Sequence, residues 1–269
     1  MKNSLYRSVL LCVMPFFSTY CAIPLAIAPS TKKVDFSVAG PYLGSLTQHI
    51  TPETTIFAFD LHEVLFRRNF RRIGYGGLKL FCKLFFYTLF NPSLVPRMIT
   101  VSQEDIATEG IFSKLCEEYP YLNNFQPDMC EIANGCCRPI EPMINLLRAL
   151  KKQGFKIFLL SNLGENALHD FKQRFPYFEG LFDGFYSPCK KNDYICKPNQ
   201  KFYEGFKSYL HSLGYRNKQI VFIDDLEKNI VAASNSGIGG IQFIGYPNLC
   251  DTLNKLGVVL GELNCSGVK

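Results

Sequence analysis

Apolar residues along the chain fall into two alternating kinds of run. Short, continuous ones rich in β-branched and aromatic side chains occur at 54–59 (TTIFAF), 156–160 (KIFLL), 219–223 (QIVFI) and 240–244 (GIQFI), with a shorter one at 184–187. Runs of this length, apolar at successive positions, belong to strands covered on both faces. Between them the apolar positions are spaced three and four apart. Met143, Leu146, Leu147 and Leu150 mark one face of a helix over 141–153 that stops at Gly154. Two more helices are predicted, over 198–213 with Pro198 in its first turn and over 227–236 closing at Gly237. Strands alternating with helices predict an α/β fold, a Rossmann-like parallel sheet with helices on both faces.

Residues 66–139 interrupt the alternation. An apolar helical stretch over 78–90 ends at Asn91-Pro92, and a second helical pattern covers 105–118. The segment is predicted to be a mostly helical insertion beside the exit of the first strand, so the core comprises 54–65 and 140–269. Phe81, Phe85, Phe86 and Phe90 are expected to pack inside the insertion or on the sheet, or else to lie on a membrane surface. Residues 31–53 are polar and punctuated by Gly and Pro, a leader into the domain. Before them, Lys2 and Arg7 precede an apolar run over 9–17, and no acidic residue occurs before Asp35. This predicts a signal peptide over 1–30 and an exported chain, the alternative being an uncleaved membrane anchor.

High apolar content, 47% against 19% charged, excludes global disorder. The net charge of +6, from 29 Lys and Arg against 23 Asp and Glu, is too mild to predict nucleic-acid binding. Nine cysteines follow residue 30, with no C-x-x-C pair, so no structural zinc site and no disulfides are assigned; most are expected to be small buried apolar residues.

The predicted chemistry lies at the strand ends. The first strand ends at Asp60, the second at Ser161-Asn162 and the third at Asp224-Asp225, while Lys197-Pro198 precedes a helix between the last two. Reactive groups of parallel sheets gather outside the carboxyl ends of the strands. A hydroxyl, an ammonium and three carboxylates brought together there suit a phosphate and a divalent cation.

The order of Asp60-Leu-His-Glu-Val-Leu, Leu160-Ser161-Asn162, Lys197-Pro198 and Phe222-Ile-Asp-Asp225, with Asn229 after it, resembles the haloacid dehalogenase superfamily. The resemblance covers roughly residues 54–245 and is closest to the phosphatase-like members with a helical cap after the first motif. It implies that Asp60 is the nucleophile and a magnesium ligand, that Ser161 and Lys197 hold the phosphoryl group with a contact from Asn162, and that Asp224 and Asp225 complete the Mg2+ shell. The 66–139 insertion would be the cap. Most phosphatases of the superfamily carry a second Asp two residues after the nucleophile as general acid and base, and here His62 stands in that place. Its backbone carbonyl would still serve the metal, and an imidazole with a pKa of about 6.5 could carry the proton.

The leading expectation is hydrolysis of a small phosphorylated metabolite, such as a sugar phosphate, through an aspartyl-phosphate. One alternative is a relative that binds without turnover because of His62. The other is a metal-independent dehalogenase, against which the Asp224-Asp225 pair counts. Glu63 is expected to shape the turn after Asp60, and Arg67, Arg68, Arg71 and Arg72 to form a solvated basic face, with an anion-recruiting or membrane role as the alternative.

Overall fold

The computed structural model describes residues 42–44 and 46–260, of which 70–75 by their backbone alone. The predicted signal peptide and Cys265 lie outside the described residues. Five parallel strands form one sheet: β1 (Thr55–Phe59), β4 (Lys156–Leu160), β5 (Gly184–Tyr186), β6 (Gln219–Asp224) and β7 (Gly239–Gln242), in the order β5-β4-β1-β6-β7. Every apolar run predicted as a strand is in this sheet. Side chains alternate across it. Phe57, Phe59, Ile157, Leu159, Val221 and Ile223 face one apolar layer, and Ile56, Ala58, Phe158, Leu160, Ile220 and Phe222 face the other. The first layer takes α5 (Glu141–Lys152), α6 (Glu165–Arg174), the short α7 (Pro176–Glu179) and α10 (Tyr246–Lys255); the second takes α8 (Gln200–Ser212) and α9 (Glu227–Asn235). Burial on both sides is why these strands read as unbroken apolar runs.

Helix α5 buries Met143, Ile144, Leu146, Leu147 and Leu150. It carries Lys151 and Lys152 in its last turn, where they complement the helix dipole, and Gly154 follows in the left-handed region (φ 93°). Helix α8 departs from its prediction. Asn199, whose side chain accepts from Lys201 N, is the N-cap, and Pro198 lies before the helix rather than in its first turn. Residues 42–53 are not a detached lead-in. Leu46 and Ile50 pack against the core, and Gly240 N donates to Tyr42 O at 2.9 Å.

The 66–139 segment leaves and rejoins the core through an antiparallel ribbon, β2 (Phe66–Arg68) with β3 (Cys137–Pro139), in which Phe66 pairs with Pro139 and Arg68 with Cys137. Between the two strands come α1 (Phe70–Phe90), α2 (Leu94–Ser102), α3 (Thr108–Glu118), a 3-10 turn and α4 (Gln126–Asn134). Phe66 closes the base of this segment, its ring 4.8 Å from those of Phe171 and Phe175 and 5.2 Å from that of Phe178.

Helix α1 corrects one expectation. Leu80 and Leu84 are buried and Phe81 and Phe85 half-buried, but Phe86 and Phe90 face solvent. The inward stripe is filled by the leucines, which leaves two of the four phenylalanines on the outer face. Lys79 and Lys83 both pair with Asp128 of α4. Among the described residues, no helix is long and apolar enough to cross a membrane. A second correction concerns the thiols. Of the eight described cysteines only Cys130, Cys136, Cys137 and Cys250 are buried, because the others fall on outward or loop positions.

Candidate active site

Strand pairing brings the reactive groups to one end of the sheet. Asp60 follows β1 and its N–H donates to Ile223 O at 2.9 Å, which sets it beside Asp224 at the end of β6. Ser161 follows β4, its N–H donating to Tyr186 O at 3.2 Å, and its Oγ accepts from Leu163 N at 3.2 Å. Lys197 comes in from the loop before α8. Its ammonium donates to Asp60 Oδ1 and Asp224 Oδ2, each at 2.7 Å, and to Leu160 O at 2.9 Å, so all three of its protons are used. Asp224 is fixed on its other side, Oδ1 accepting from Leu226 N and Asn229 Nδ2, both at 2.9 Å.

Asp60, Asp224 and Asp225 each offer an oxygen within 4.8 Å of the others. Asp60 and Asp225 face a cavity of about 140 Å³ that His62, Ser161, Asn162 and Lys197 also line. The residues predicted from sequence therefore converge, with Asp224 just behind the wall. Arg68, Thr108 and Glu109 line the same cavity from the insertion and were not foreseen as site residues.

Crowding of charge governs the ionisation of the site. Burial, followed by the neighbouring Asp224, lifts the Asp60 carboxyl to about 6 against the opposing pull of Lys197. Burial and the two other carboxylates lift Asp225 to about 7. Burial alone would disfavour the Lys197 ammonium, but Asp224 and Asp60 keep it charged, above its ordinary range. His62 moves the opposite way. Burial, then Arg68 and Lys197, depress the imidazole to about 3, so it is neutral at physiological pH, and the unperturbed value of about 6.5 does not hold for the ligand-free site. Its Nε2 is shielded from solvent and has no hydrogen-bond partner among the described residues.

Three neighbours refine the sequence reading. Asn162 is tied to the Lys197 backbone, accepting from Lys197 N at 2.8 Å and donating to Lys197 O at 2.9 Å, so it holds the lysine in place as well as lining the cavity. Glu63 shapes the turn as expected. It sits in the left-handed region (φ 62°), and its N–H donates to Phe66 O at 2.7 Å. Arg68 is not part of a solvated face. Its side chain is 8% exposed and its Nε pairs with Glu63 Oε1 at 3.2 Å, whereas Arg67 is exposed and the side chains of Arg71 and Arg72 lie outside the described residues. The turn after Asp60 folds Arg68 back on Glu63, a geometry that a run of arginines does not reveal.

Glu109 comes from α3 but serves α6. Its carboxylate accepts from Asn166 N at 3.0 Å, Asn166 Nδ2 at 3.0 Å and Ala167 N at 3.4 Å, and so caps a core helix whose own N-cap, Gly164, has no side chain to do it. Burial raises its pKa while these N–H donors pull it back. Beside it, Ala107 N donates to Tyr194 O at 2.8 Å and Gly110 packs on the Tyr194 side chain. Further along α6, Asn134 Nδ2 donates to Ala167 O at 2.7 Å, and Arg174 pairs with Glu131 at 2.6 Å.

No family model matches the chain. A sesquiterpene phosphatase of Aspergillus oryzae is 30% identical over 122 residues, which is 45% of this chain and 59% of the relative; the match thus spans under two thirds of that protein. Among solved structures, a predicted HAD-like family hydrolase of Porphyromonas gingivalis superposes with a TM-score of 0.51 at 19% identity, covering 75% of this chain and 98% of the other. A HAD family enzyme of Bacteroides thetaiotaomicron, solved in complex with magnesium and inorganic phosphate, gives a TM-score of 0.47 at 20% identity, over 70% and 93% of the two chains.

Proposed function

We propose that this chain, which has the fold of the haloacid dehalogenase-like hydrolases, is a magnesium-dependent phosphomonoester hydrolase acting on a small phosphorylated metabolite. The observation that carries this reading is the cluster of Asp60, Asp224 and Asp225 at the cavity that Lys197 and Ser161 line. Three carboxylates within 4.8 Å are a hard-oxygen donor set that fits a small divalent cation. Asp60, Asp224 and Asp225, with the His62 backbone carbonyl, would hold Mg2+, which when bound would neutralise phosphoryl charge.

The chain's own residues supply the rest. The free oxygen of Asp60 attacks phosphorus, the Asp60–phosphorus bond forms as the ester P–O bond breaks, and an aspartyl-phosphate results. Ser161 donates to a phosphoryl oxygen and Lys197 balances its charge, while Asn162 keeps Lys197 in register. A phosphoryl dianion beside His62 outweighs Arg68 and Lys197 and raises the proton affinity of the imidazole. His62 then protonates the leaving alkoxide, and afterwards takes a proton from the water that attacks the aspartyl-phosphate. The 66–139 insertion acts as the cap, since it supplies Arg68, Thr108 and Glu109 to the cavity wall. The similarity to a sesquiterpene phosphatase supports a phosphate ester and adds terpenoid alcohols to sugars as leaving groups to test. Export is a further part of the proposal, supported by the basic start and the apolar run over 9–17.

The test is phosphate release from a panel of sugar and isoprenyl phosphates with magnesium. Asp60→Asn should abolish it, and His62→Ala should slow it by roughly 10²–10⁴-fold. The neutral, unpartnered His62 favours a second reading, a protein that binds such esters without turnover. Magnesium binding with no hydrolysis across the panel would select that one.

A further inference from the structure

Resting on the phosphatase reading, we infer that Glu109 is a specificity-determining residue that restricts the cavity to phosphate esters of uncharged alcohols. The inference follows from a census of charge on the cavity wall. Lys197 is matched by Asp60 and Asp224, and Arg68 is matched by Glu63. Asp60 and Asp225 belong to the cluster that would be neutralised by a cation. Glu109 is different. Its residue is 4% exposed, it lines the cavity, and among the described residues no ion pair involves it; its partners are the N–H groups of Asn166 and Ala167.

Those N–H groups hold the carboxylate in one place. They sit at the N-terminus of α6, two to four residues beyond the Gly164 and Leu163 positions that also line the cavity. Gly164 approaches so closely that a Cβ there would lie 2.3 Å from Glu109 Oε2. The helix end that could otherwise have received a second anionic group of a substrate is thereby taken by an anion of the protein itself. The phosphoryl group is served by Ser161, Lys197 and the carboxylate cluster. A second phosphate or carboxylate on a leaving group held along this wall would meet the Glu109 carboxylate. Like charges at such a distance discriminate by repulsion rather than by added contacts.

The test compares butyl phosphate with 4-phosphooxybutanoate, esters of equal chain length that differ by one carboxylate, in wild type and in Glu109→Gln. Wild type should favour the uncharged ester in kcat/KM by about tenfold or more. The variant, which keeps a carbonyl oxygen for the α6 N–H groups but loses the charge, should collapse that ratio towards one. Two results would overturn the inference: equal kcat/KM for both esters in wild type, which needs no variant to fold, or an unchanged ratio in Glu109→Gln with both rates lowered together, the mark of a purely structural cap. Hydrolysis of neither ester nor any member of the wider panel by wild type would instead remove the phosphatase reading, and this inference with it.

Discussion

Lys197→Met is the sharpest test of how the site is held. The substitution keeps the length of the side chain and removes an ammonium that is 1% exposed and bound to Asp60, Asp224 and Leu160 O at 2.7, 2.7 and 2.9 Å. Two of these are charge-assisted hydrogen bonds of about 1.5–3 kcal/mol each. Removing one member of a buried ion cluster costs about 3–5 kcal/mol, because the remaining charges stay uncompensated. The predicted loss of stability at pH 8 without metal is therefore about 3–5 kcal/mol. Its pH dependence has a definite sign. Without the ammonium, Asp60 faces Asp224 in a dry site with nothing to offset the repulsion, so its folded pKa rises further above the unfolded value near 4. A carboxyl raised in the folded state leaves stability intact below the unfolded pKa and removes it as pH rises through the folded one. The deficit should thus be small at pH 4 and full by pH 8. Urea denaturation of both proteins at the two pH values measures it. A loss under about 1 kcal/mol at pH 8, or a deficit that deepens on acidification, would refute the reasoning.

The wild type should behave in the same sense. With Asp60 raised to about 6 and Asp225 to about 7, metal-free protein should lose on the order of 6 kcal/mol between pH 4 and pH 8. Magnesium should restore it, visible as a rise in Tm that grows with pH; a metal-free Tm that is flat over this range would contradict the shifts. Gly110→Ala should destabilise by about 1–3 kcal/mol, since its Cβ would stand 2.4 Å from Tyr194 Cβ, an atom too near the backbone to swing aside. A melting temperature equal to that of wild type would show that the 189–195 loop yields.

The sheet was legible because its strands are buried on both faces, so burial wrote itself into 54–59, 156–160 and 219–223 as plain apolar runs. The strand-end residues were legible for the same reason, as the first polar groups after each run. Helix α6 was missed because its ten residues bury only Ala167, Leu168 and Phe171, too sparse a stripe to stand out. Glu109 was invisible for a different reason. It reads as an acidic residue in the first turn of its own helix, and nothing in its neighbourhood says that it caps another helix 57 positions away. The state of His62 was out of reach because it depends on burial and on Arg68, which only the folded turn brings close.

The β2–β3 ribbon has a consequence for how such a chain can change over time. Arg68 and Cys137 face each other across two paired strands, so everything between them begins and ends at nearly the same point in space. Replacing, shortening or elaborating that excursion alters the entropy of closing one loop, which grows only slowly with its length, and leaves the register of the sheet untouched. Mutations that reshape what the cavity accepts can therefore accumulate on one side of the ribbon, while the aspartates on the other keep their spacing.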